Sequence, residues 1–157
     1  MTGVYLDNNA TTEPSPAVRE AVFAALGPDV FGNASSPTPH GQRARSFIEH
    51  ARDSVGRLVG SDPMQVLFTS GCTEGNNIVL RLALKGPRRL ITTETEHASV
   101  GEVASWLETL GVEVVRLRGL DGRIDPDDLA TALETPAALV SIQWANSQTG
   151  VLQPVAE

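Results

Sequence analysis

The sequence is poor in cysteine, in aromatic residues and in long apolar runs, and each scarcity excludes something. Cys72 is the only cysteine among 157 residues, so an internal disulfide and the zinc sites built on cysteine pairs are excluded. A single cysteine fits a cytoplasmic protein. Aromatic residues make up 4%, and no run approaches the roughly 18 apolar residues of a membrane span, so we expect no membrane association.

Positive charge is scarce as well. The net charge of −7 argues against a nucleic-acid partner or an anionic membrane surface, because both require a basic patch. Lys85 is the only lysine, and the other basic residues are arginines. The first residues, MTGVYLDNNATT, lack the basic and apolar regions of a signal peptide, so none is expected. The three histidines lack metal-ligand spacing, and no metal site is expected.

Strand and helix patterns alternate along the chain, which is 41% apolar and 20% charged, as in globular proteins. Periodicity and capping residues predict helices over 15–26, 40–59, 72–85, 97–110 and 125–134. Apolar runs bounded by turn residues predict strands over 4–8, 65–70, 88–94, 112–118 and 137–145. Strands separated by helices predict an α/β fold with a mainly parallel sheet flanked by helices. Residues 154–157, PVAE, predict the first turn of a further helix, so we expect a larger architecture.

Polar residues follow three of the predicted strands at the points where they end. The segment 70–73 follows strand 65–70, Glu96 and His97 follow strand 88–94, and Asn146 follows strand 137–145. Ligands of open α/β sheets bind outside the carboxyl ends of the strands. The sequence therefore predicts a ligand site at this edge of the sheet.

The stretch FTSGCTEGNN, residues 68–77, predicts a strand, a turn of small residues and a helix. The first N–H groups of a helix lack partners and carry partial positive charge, Gly71 allows close approach, and Thr73 adds a hydroxyl, which together suit a phosphate. The alternative is that Ser70 or Thr73 only caps the helix. Neither G-x-x-x-x-G-K-[ST] nor G-x-G-x-x-G occurs in the sequence.

The other candidates also have structural alternatives. His97 could stack on a ligand ring or transfer protons, or it could simply begin a helix. Asn146 could donate to an oxyanion, or it could form a turn. We expect Cys72 to be small and buried, and His40 and His50 to lie on a solvated helix face. Core packing is expected for three aromatic residues, Phe47, Phe68 and Trp106.

Several segments together resemble the N-terminal part of the cysteine desulfurases, class V aminotransferases within the fold type I pyridoxal-phosphate enzymes. They are YLDNNATT (5–12), FGNASS (31–36), HGQRAR (40–45), FTSGCTEGNN (68–77), TEHASV (95–100), DGRID (121–125) and VSIQWANSQTGVLQP (140–154). Their order and spacing follow the family over the whole chain. The FGNASS and HG segments resemble the branch that serves iron–sulfur and tRNA-thiolation pathways.

The resemblance implies roles for individual residues. Cys72, through its backbone, and Thr73 would hold the phosphate of pyridoxal 5'-phosphate. His97 would stack on the cofactor ring and assist proton transfer as the catalytic residue, and Asn146 would contact the cofactor phenolic oxygen and the substrate. Asn33 would lie at the substrate mouth. Residues 1–14 would border the active-site mouth, and residues 15–157 would form the N-terminal part of the cofactor-binding large domain.

The implied reaction removes sulfur from L-cysteine, leaving alanine and an enzyme persulfide for transfer to an acceptor protein. Family members are more than twice this length, and their Schiff-base lysine, pyridine-binding aspartate, carboxylate-binding arginine and persulfide cysteine come later in the chain. We therefore expect the chain alone to be inactive and to need a complementing C-terminal half, from the same gene or from a separate chain, in a homodimer or heteromeric assembly. The alternatives are another class V enzyme, such as an amino-acid lyase, and a non-catalytic scaffold subunit.

One segment departs from the family pattern. WANSQTG, residues 144–150, stands where the family more often has a histidine followed by a run like NNEIG. The departure keeps Asn146 but changes its neighbours, which puts the local substrate contacts in doubt.

Overall fold

The structure, a computed structural model, describes residues 3–156. It divides into two units, a first unit Met1–Phe68 and a second unit Thr69–Glu157. The first unit contains α1 (Pro16–Ala25) and α2 (Pro39–Val59). The second unit contains α3 (Cys72–Leu80), β1 (Arg89–Thr93), α4 (Ala98–Thr109), β2 (Glu113–Leu117), α5 (Pro126–Leu133) and β3 (Leu139–Val140). Short 3-10 turns lie at Pro63–Gln65 and Arg81–Leu84.

The two helices of the first unit begin at side-chain caps. Ser15 accepts a hydrogen bond from the Val18 N–H before α1, and Thr38 accepts one from the Gly41 N–H before α2. Each helix then has proline in its first turn, where the missing N–H costs nothing. Gly60 ends α2 in the left-handed conformation, with φ of 67°. The predictions of helices over 15–26 and 40–59 are confirmed.

The second unit is built on a parallel sheet with the strand order β2-β1-β3. Leu90 of β1 lies opposite Val114 on one side and Leu139 on the other. The predicted strands 88–94 and 112–118 and the mainly parallel sheet are confirmed. In this part of the chain, the predictions of helices over 97–110 and 125–134 are confirmed too.

Helices cover both faces of this sheet. Successive side chains of a strand point to opposite faces, so Leu90 and Ile91 enter two different clusters. Leu90 packs with residues of α3, α4 and the turn between them: Leu80, Ala83, Val100, Val103, Ala104 and Leu107. Ile91 packs with Leu117 and Ile124, and Leu129 and Ala132 of α5 pack against that cluster. The arrangement leaves the carboxyl end of β1 free to carry functional groups.

Two predicted strands are wrong. Residues 4–8 and 65–70 form no strand, and Leu67 is 68% exposed. A strand exists only through hydrogen bonds to a neighbouring strand. Within residues 3–156, neither segment pairs with another strand. The apolar run of 65–70 indicates burial, but it does not show which partner provides it.

The strand predicted over 137–145 is reduced to Leu139–Val140. Beyond it the backbone leaves the ladder, because the Gln143 N–H bonds the Glu96 side chain and Ala145 pairs antiparallel with Leu152. The helix predicted over 72–85 ends at Leu80 and continues as a 3-10 turn, a common ending for an α-helix.

Other local expectations also need correction. Residues 155–156 form a turn and not a helix, and residue 157 lies outside the described part. Phe47, Phe68 and Trp106 are not core residues, since they are 42%, 46% and 39% exposed. Each of the last two rings is covered on one side by an arginine guanidinium, at 5.1 Å for Phe68 and 4.7 Å for Trp106. His40 and His50 are exposed on α2, as expected. Over residues 3–156, no helix combines the length and apolarity needed to cross a bilayer.

Candidate functional site

A cavity of about 350 Å³ opens where β1 ends and α3 begins. Its lining residues are Cys72, Asn76, Glu96, His97, Val100, Ser141, Ile142, Gln143, Ala145 and Ser147. The structure thus brings Cys72 and His97 together, and it places the two neighbours of Asn146 beside them. Thr73 and Asn146 adjoin lining residues in sequence without lining the cavity themselves. Asn33 belongs to the first unit, where its Oδ1 accepts the Ser35 N–H at 2.9 Å.

The N-terminus of α3 has no side-chain cap. Gly71 occupies the capping position, and neither Ser70 nor Thr73 caps the helix, so the capping alternative is wrong. The Glu74 carboxylate instead accepts the Ser70 N–H at 2.6 Å, and this bond lowers the pKa of Glu74. A methyl group added to Gly71 would meet nothing within 4 Å. The space beside Gly71 at the start of α3 is therefore open, and an uncapped helix N-terminus favours an anion.

His97 begins α4 as its N-cap. Its ring Nδ1 accepts the Ser99 N–H at 3.1 Å and lies 2.9 Å from the Ser99 hydroxyl. Because Nδ1 accepts, the neutral ring carries its proton on Nε2. Asn76 of α3 donates to the same hydroxyl at 2.8 Å, so α3 and α4 are joined beside the cavity. His97 therefore has a structural role in addition to any chemical one, and neither Ser99 nor Asn76 was identified from the sequence.

Glu96 is half-buried in the cavity wall, where burial raises the pKa of its carboxyl group. The Gln143 N–H donates to Glu96 Oε1 at 2.7 Å, and this bond opposes the effect of burial. The Gln143 side chain donates to Thr95 as well, at 2.7 Å to the carbonyl and 3.1 Å to the hydroxyl. Sequence reasoning placed Glu96 at this edge but missed Gln143, because no spacing rule links positions 47 residues apart.

Asn146 organises the turn that follows β3. Its Oδ1 accepts the N–H groups of Gln148 and Thr149 at 2.9 and 2.8 Å, and its Nδ2 donates to the Thr95 carbonyl at 2.8 Å. The alternative role of Asn146 as a turn former is therefore correct for its side-chain oxygen. The amide nitrogen carries a second hydrogen, which is the group left for a ligand.

Two further residues bear on the chemistry of the cavity. Cys72 is exposed, so the expectation of burial is wrong: as the first residue of α3 it lies on the open end of the helix. Lys85 follows the 3-10 turn beyond the opposite end of α3 and is not among the lining residues. In the range 3–156, no group of three or more histidine, cysteine or acidic side chains is placed to hold a metal ion.

The family Aminotransferase class-V matches residues 4–157 of this sequence. The chain belongs to that family. A cysteine desulfurase of Nostoc sp. is 40% identical over 161 residues, which cover 100% of this chain and 40% of the relative. The cysteine desulfurase IscS of Dictyoglomus turgidum is 38% identical, covering 98% of this chain and 40% of the relative.

Solved structures agree with these relatives. A NifS-like protein superposes with a TM-score of 0.88 at 34% identity, over 97% of this chain and 43% of that protein. The structure of DndA from Streptomyces lividans gives a TM-score of 0.80 at 38% identity, over 98% of this chain and 44% of that protein. The resemblance to the N-terminal part of the cysteine desulfurases is confirmed, as is the partial fold type I large domain. The chain spans about two fifths of the length of the curated relatives it matches.

Proposed function

We propose that the chain supplies part of the pyridoxal 5'-phosphate site of a cysteine desulfurase. One observation carries the proposal: the uncapped N-terminus of α3 opens beside a cavity that it shares with His97. The family membership and the relatives named as cysteine desulfurases support the same cofactor and reaction.

The phosphate group fits the end of α3. The backbone N–H groups of Cys72 and Thr73 lie in the first turn, where aligned peptide dipoles supply roughly half a positive charge. The Thr73 hydroxyl adds a donor, and the open space at Gly71 lets a bulky anion approach the backbone. No lysine or arginine lines the cavity, so backbone amides and this hydroxyl would supply most of the hydrogen bonds to the phosphate.

His97 fits the ring of the cofactor. Its imidazole is exposed and lines the cavity, and the cap bond from the Ser99 N–H fixes its orientation. A fixed imidazole can stack on an aromatic ring and can exchange a proton with a ligand through Nε2. When bound, pyridoxal phosphate supplies an electron sink for bond cleavage in an amino acid. In this proposal His97 is the catalytic residue of the chain.

Asn146 and Asn33 complete the assignment. The second N–H of the Asn146 amide would donate to the phenolic oxygen of the cofactor or to the substrate. We assign Asn33 to substrate binding and residues 1–14 to the mouth of the site, from the motifs alone. A solved relative described as SspA in complex with cysteine, 28% identical with a TM-score of 0.83, supports L-cysteine as the substrate class.

The chain lacks an amine for the cofactor carbonyl at this cavity, since Lys85 is its only lysine and lies elsewhere. Covalent attachment therefore requires a lysine from outside the chain. We propose that a complementing polypeptide supplies it, together with the persulfide cysteine, in a cytoplasmic homodimer or heteromeric assembly. Sulfur would then pass to an acceptor protein, with iron–sulfur assembly as the pathway suggested by the relatives named IscS and NifS.

The test combines the chain with a co-expressed polypeptide that supplies the remaining length of its relatives. We expect the pair to show cofactor absorbance near the visible edge and to release alanine from L-cysteine. The chain alone should show neither the absorbance nor the reaction. Activity on another amino acid instead would favour a lyase. A pair that binds no cofactor would contradict the proposal and favour a scaffold subunit.

Thr73→Val gives a sharper version of this test, because it removes one hydroxyl at constant shape. A hydrogen bond to a charged group contributes about 1.5–3 kcal/mol, so we expect cofactor affinity to fall roughly tenfold or more. Thr131→Val in α5 is the matched control, since its hydroxyl bonds only the Asp127 carbonyl in its own helix. Equal affinities in the two variants would exclude Thr73 from the site.

A further inference from the structure

Four hydrogen bonds tie the loop after β1 to the loop after β3. Gln143 reaches Thr95 through its side-chain amide and Glu96 through its backbone N–H, and Asn146 reaches the Thr95 carbonyl. All four bonds are partly buried and 2.7–3.1 Å long. They converge on the two residues that immediately precede His97. The orientation of the imidazole therefore depends on a turn that is held from a neighbouring strand.

Gln143 contributes most of this connection. It makes three of the four bonds, and it satisfies the Thr95 carbonyl, the Thr95 hydroxyl and the Glu96 carboxylate at once. The His97 backbone N–H lowers the pKa of the same Glu96 carboxyl group, so that carboxylate interacts with both Gln143 and His97. If Asn146 made the only connection, the Glu96 carboxylate would lose its hydrogen bond from the loop after β3.

We propose that Gln143 is a positioning residue that fixes the Thr95–Glu96 turn and so presents His97 to the cavity. Its chemical value rests on the proposed function of His97, whereas the positioning itself is a property of the chain. Gln143 acts through other residues and is not a catalytic residue.

The first measurement is amide hydrogen exchange in the full 157-residue chain. Gln143→Leu removes the amide at similar size, and we expect exchange at residues 97 and 143 to accelerate about five- to thirtyfold, the effect of losing one or two hydrogen bonds. Exchange in β2 and α5 should stay unchanged. Gln148→Ala is the matched control, because the Gln148 side chain is exposed and only its backbone N–H is used in the turn.

Gln143→Glu separates positioning from simple packing. An ionised carboxylate faces the Thr95 carbonyl without a hydrogen to donate, whereas the protonated form can donate one bond. We therefore expect protection at residue 97 to recover on acidification in Gln143→Glu relative to Gln143→Leu at the same pH. A side chain that only fills space would give the same exchange in both variants at every pH.

The outcomes are distinct. Unchanged exchange in Gln143→Leu, or acceleration spread evenly over the second unit, would overturn the proposal. If exchange responds locally but the chain with its complementing polypeptide binds no pyridoxal phosphate, the positioning stands and the proposed function fails. If cofactor binds and its affinity is equal in wild type and Gln143→Leu despite local acceleration, the contribution of Gln143 to the cofactor site is refuted.

Discussion

Among residues 3–68, the buried positions are Gly41, Ala44 and Gly56, whereas in the second unit Leu90, Ala104 and Leu107 are fully buried. Both units have well-capped helices with apolar faces. Within residues 3–156, only the second unit has a sheet on which those faces can pack, and its helices cover both sides of that sheet. Helix formation is therefore a local property of this sequence, while core formation depends on strand pairing.

The contrast extends to exposed apolar residues. In the first unit, Phe23, Leu26 and Leu58 are 73%, 77% and 84% exposed. Apolar surface contributes roughly 25 cal/mol to stability per Å² removed from water, so these helices gain little from burial. The second unit should therefore resist unfolding on its own, and the first unit should be the more easily opened part.

The largest expected effect compares one leucine from each unit. Leu107→Ala empties a fully buried site and should destabilise the second unit by about 2–5 kcal/mol. Leu58→Ala at an exposed site should change stability by less than about 0.5 kcal/mol. Urea unfolding followed by far-UV circular dichroism measures both variants, because helices of both units contribute to that signal. Equal shifts from the two variants would contradict the contrast.

A pair of glycines gives the next largest effect. Gly41→Ala would place a methyl group 2.3 Å from the Ser36 carbonyl oxygen, so the backbone must shift, at a cost of about 1–3 kcal/mol. Gly101→Ala in α4 meets nothing within 4 Å and should stabilise the helix by about 0.5–1 kcal/mol. Hydrogen exchange in α2 and α4 measures each effect. Faster exchange in α4 of the Gly101→Ala variant would show that the added methyl group does not fit at this position.

A smaller effect concerns pH within the second unit. Burial raises the pKa of Glu96, so the folded protein binds this proton more tightly than the unfolded chain does. The contribution to stability is complete below the unfolded pKa and is lost as the pH rises through the folded pKa. Glu96→Gln should therefore gain stability relative to wild type as the pH rises from below the unfolded pKa of Glu96 through its raised folded pKa. Chemical unfolding over this range measures the difference.

Glu108→Gln is the control, because the stability contribution of Glu108 changes with pH in the opposite direction. The hydrogen bond from Arg116 lowers the pKa of Glu108, so its contribution is present above the unfolded pKa and is lost as the pH falls. The variant should differ from wild type at neutral pH and converge with it in acid. Parallel pH profiles for the two variants would mean that neither carboxyl titrates as the structure implies.

Local chemistry made much of the fold predictable. The Thr38 cap and Gly60 delimit α2, and Asp125 with Pro126 begins α5, because these residues act within one turn of the chain. Alternating burial at Leu90 and Ile91 follows from strand geometry. The strand predicted over 65–70 failed because its apolar pattern does not specify a neighbour to pair with.

The candidate site, like the fold, was predictable only where local sequence signals determine it. The end of β1 places His97 at the edge of the sheet, and Cys72 reaches the same cavity from the start of α3, although the strand predicted before it does not form. The bonds from Gln143 to Thr95 and Glu96 were not predictable, since they depend on how one loop leaves the sheet. The roles of Cys72, Thr73, His97, Asn146 and Asn33 remain predictions.

The most direct test of the central claim is NMR of the isotope-labelled chain paired with its complementing polypeptide, during titration with pyridoxal 5'-phosphate, and with pyridoxal as the control without phosphate. The account predicts that the phosphorylated compound shifts the amide signals of Cys72 and Thr73 and the ring signals of His97, and that pyridoxal leaves Cys72 and Thr73 unchanged. Equal shifts with both compounds, or shifts confined to residues away from this cavity, would contradict it.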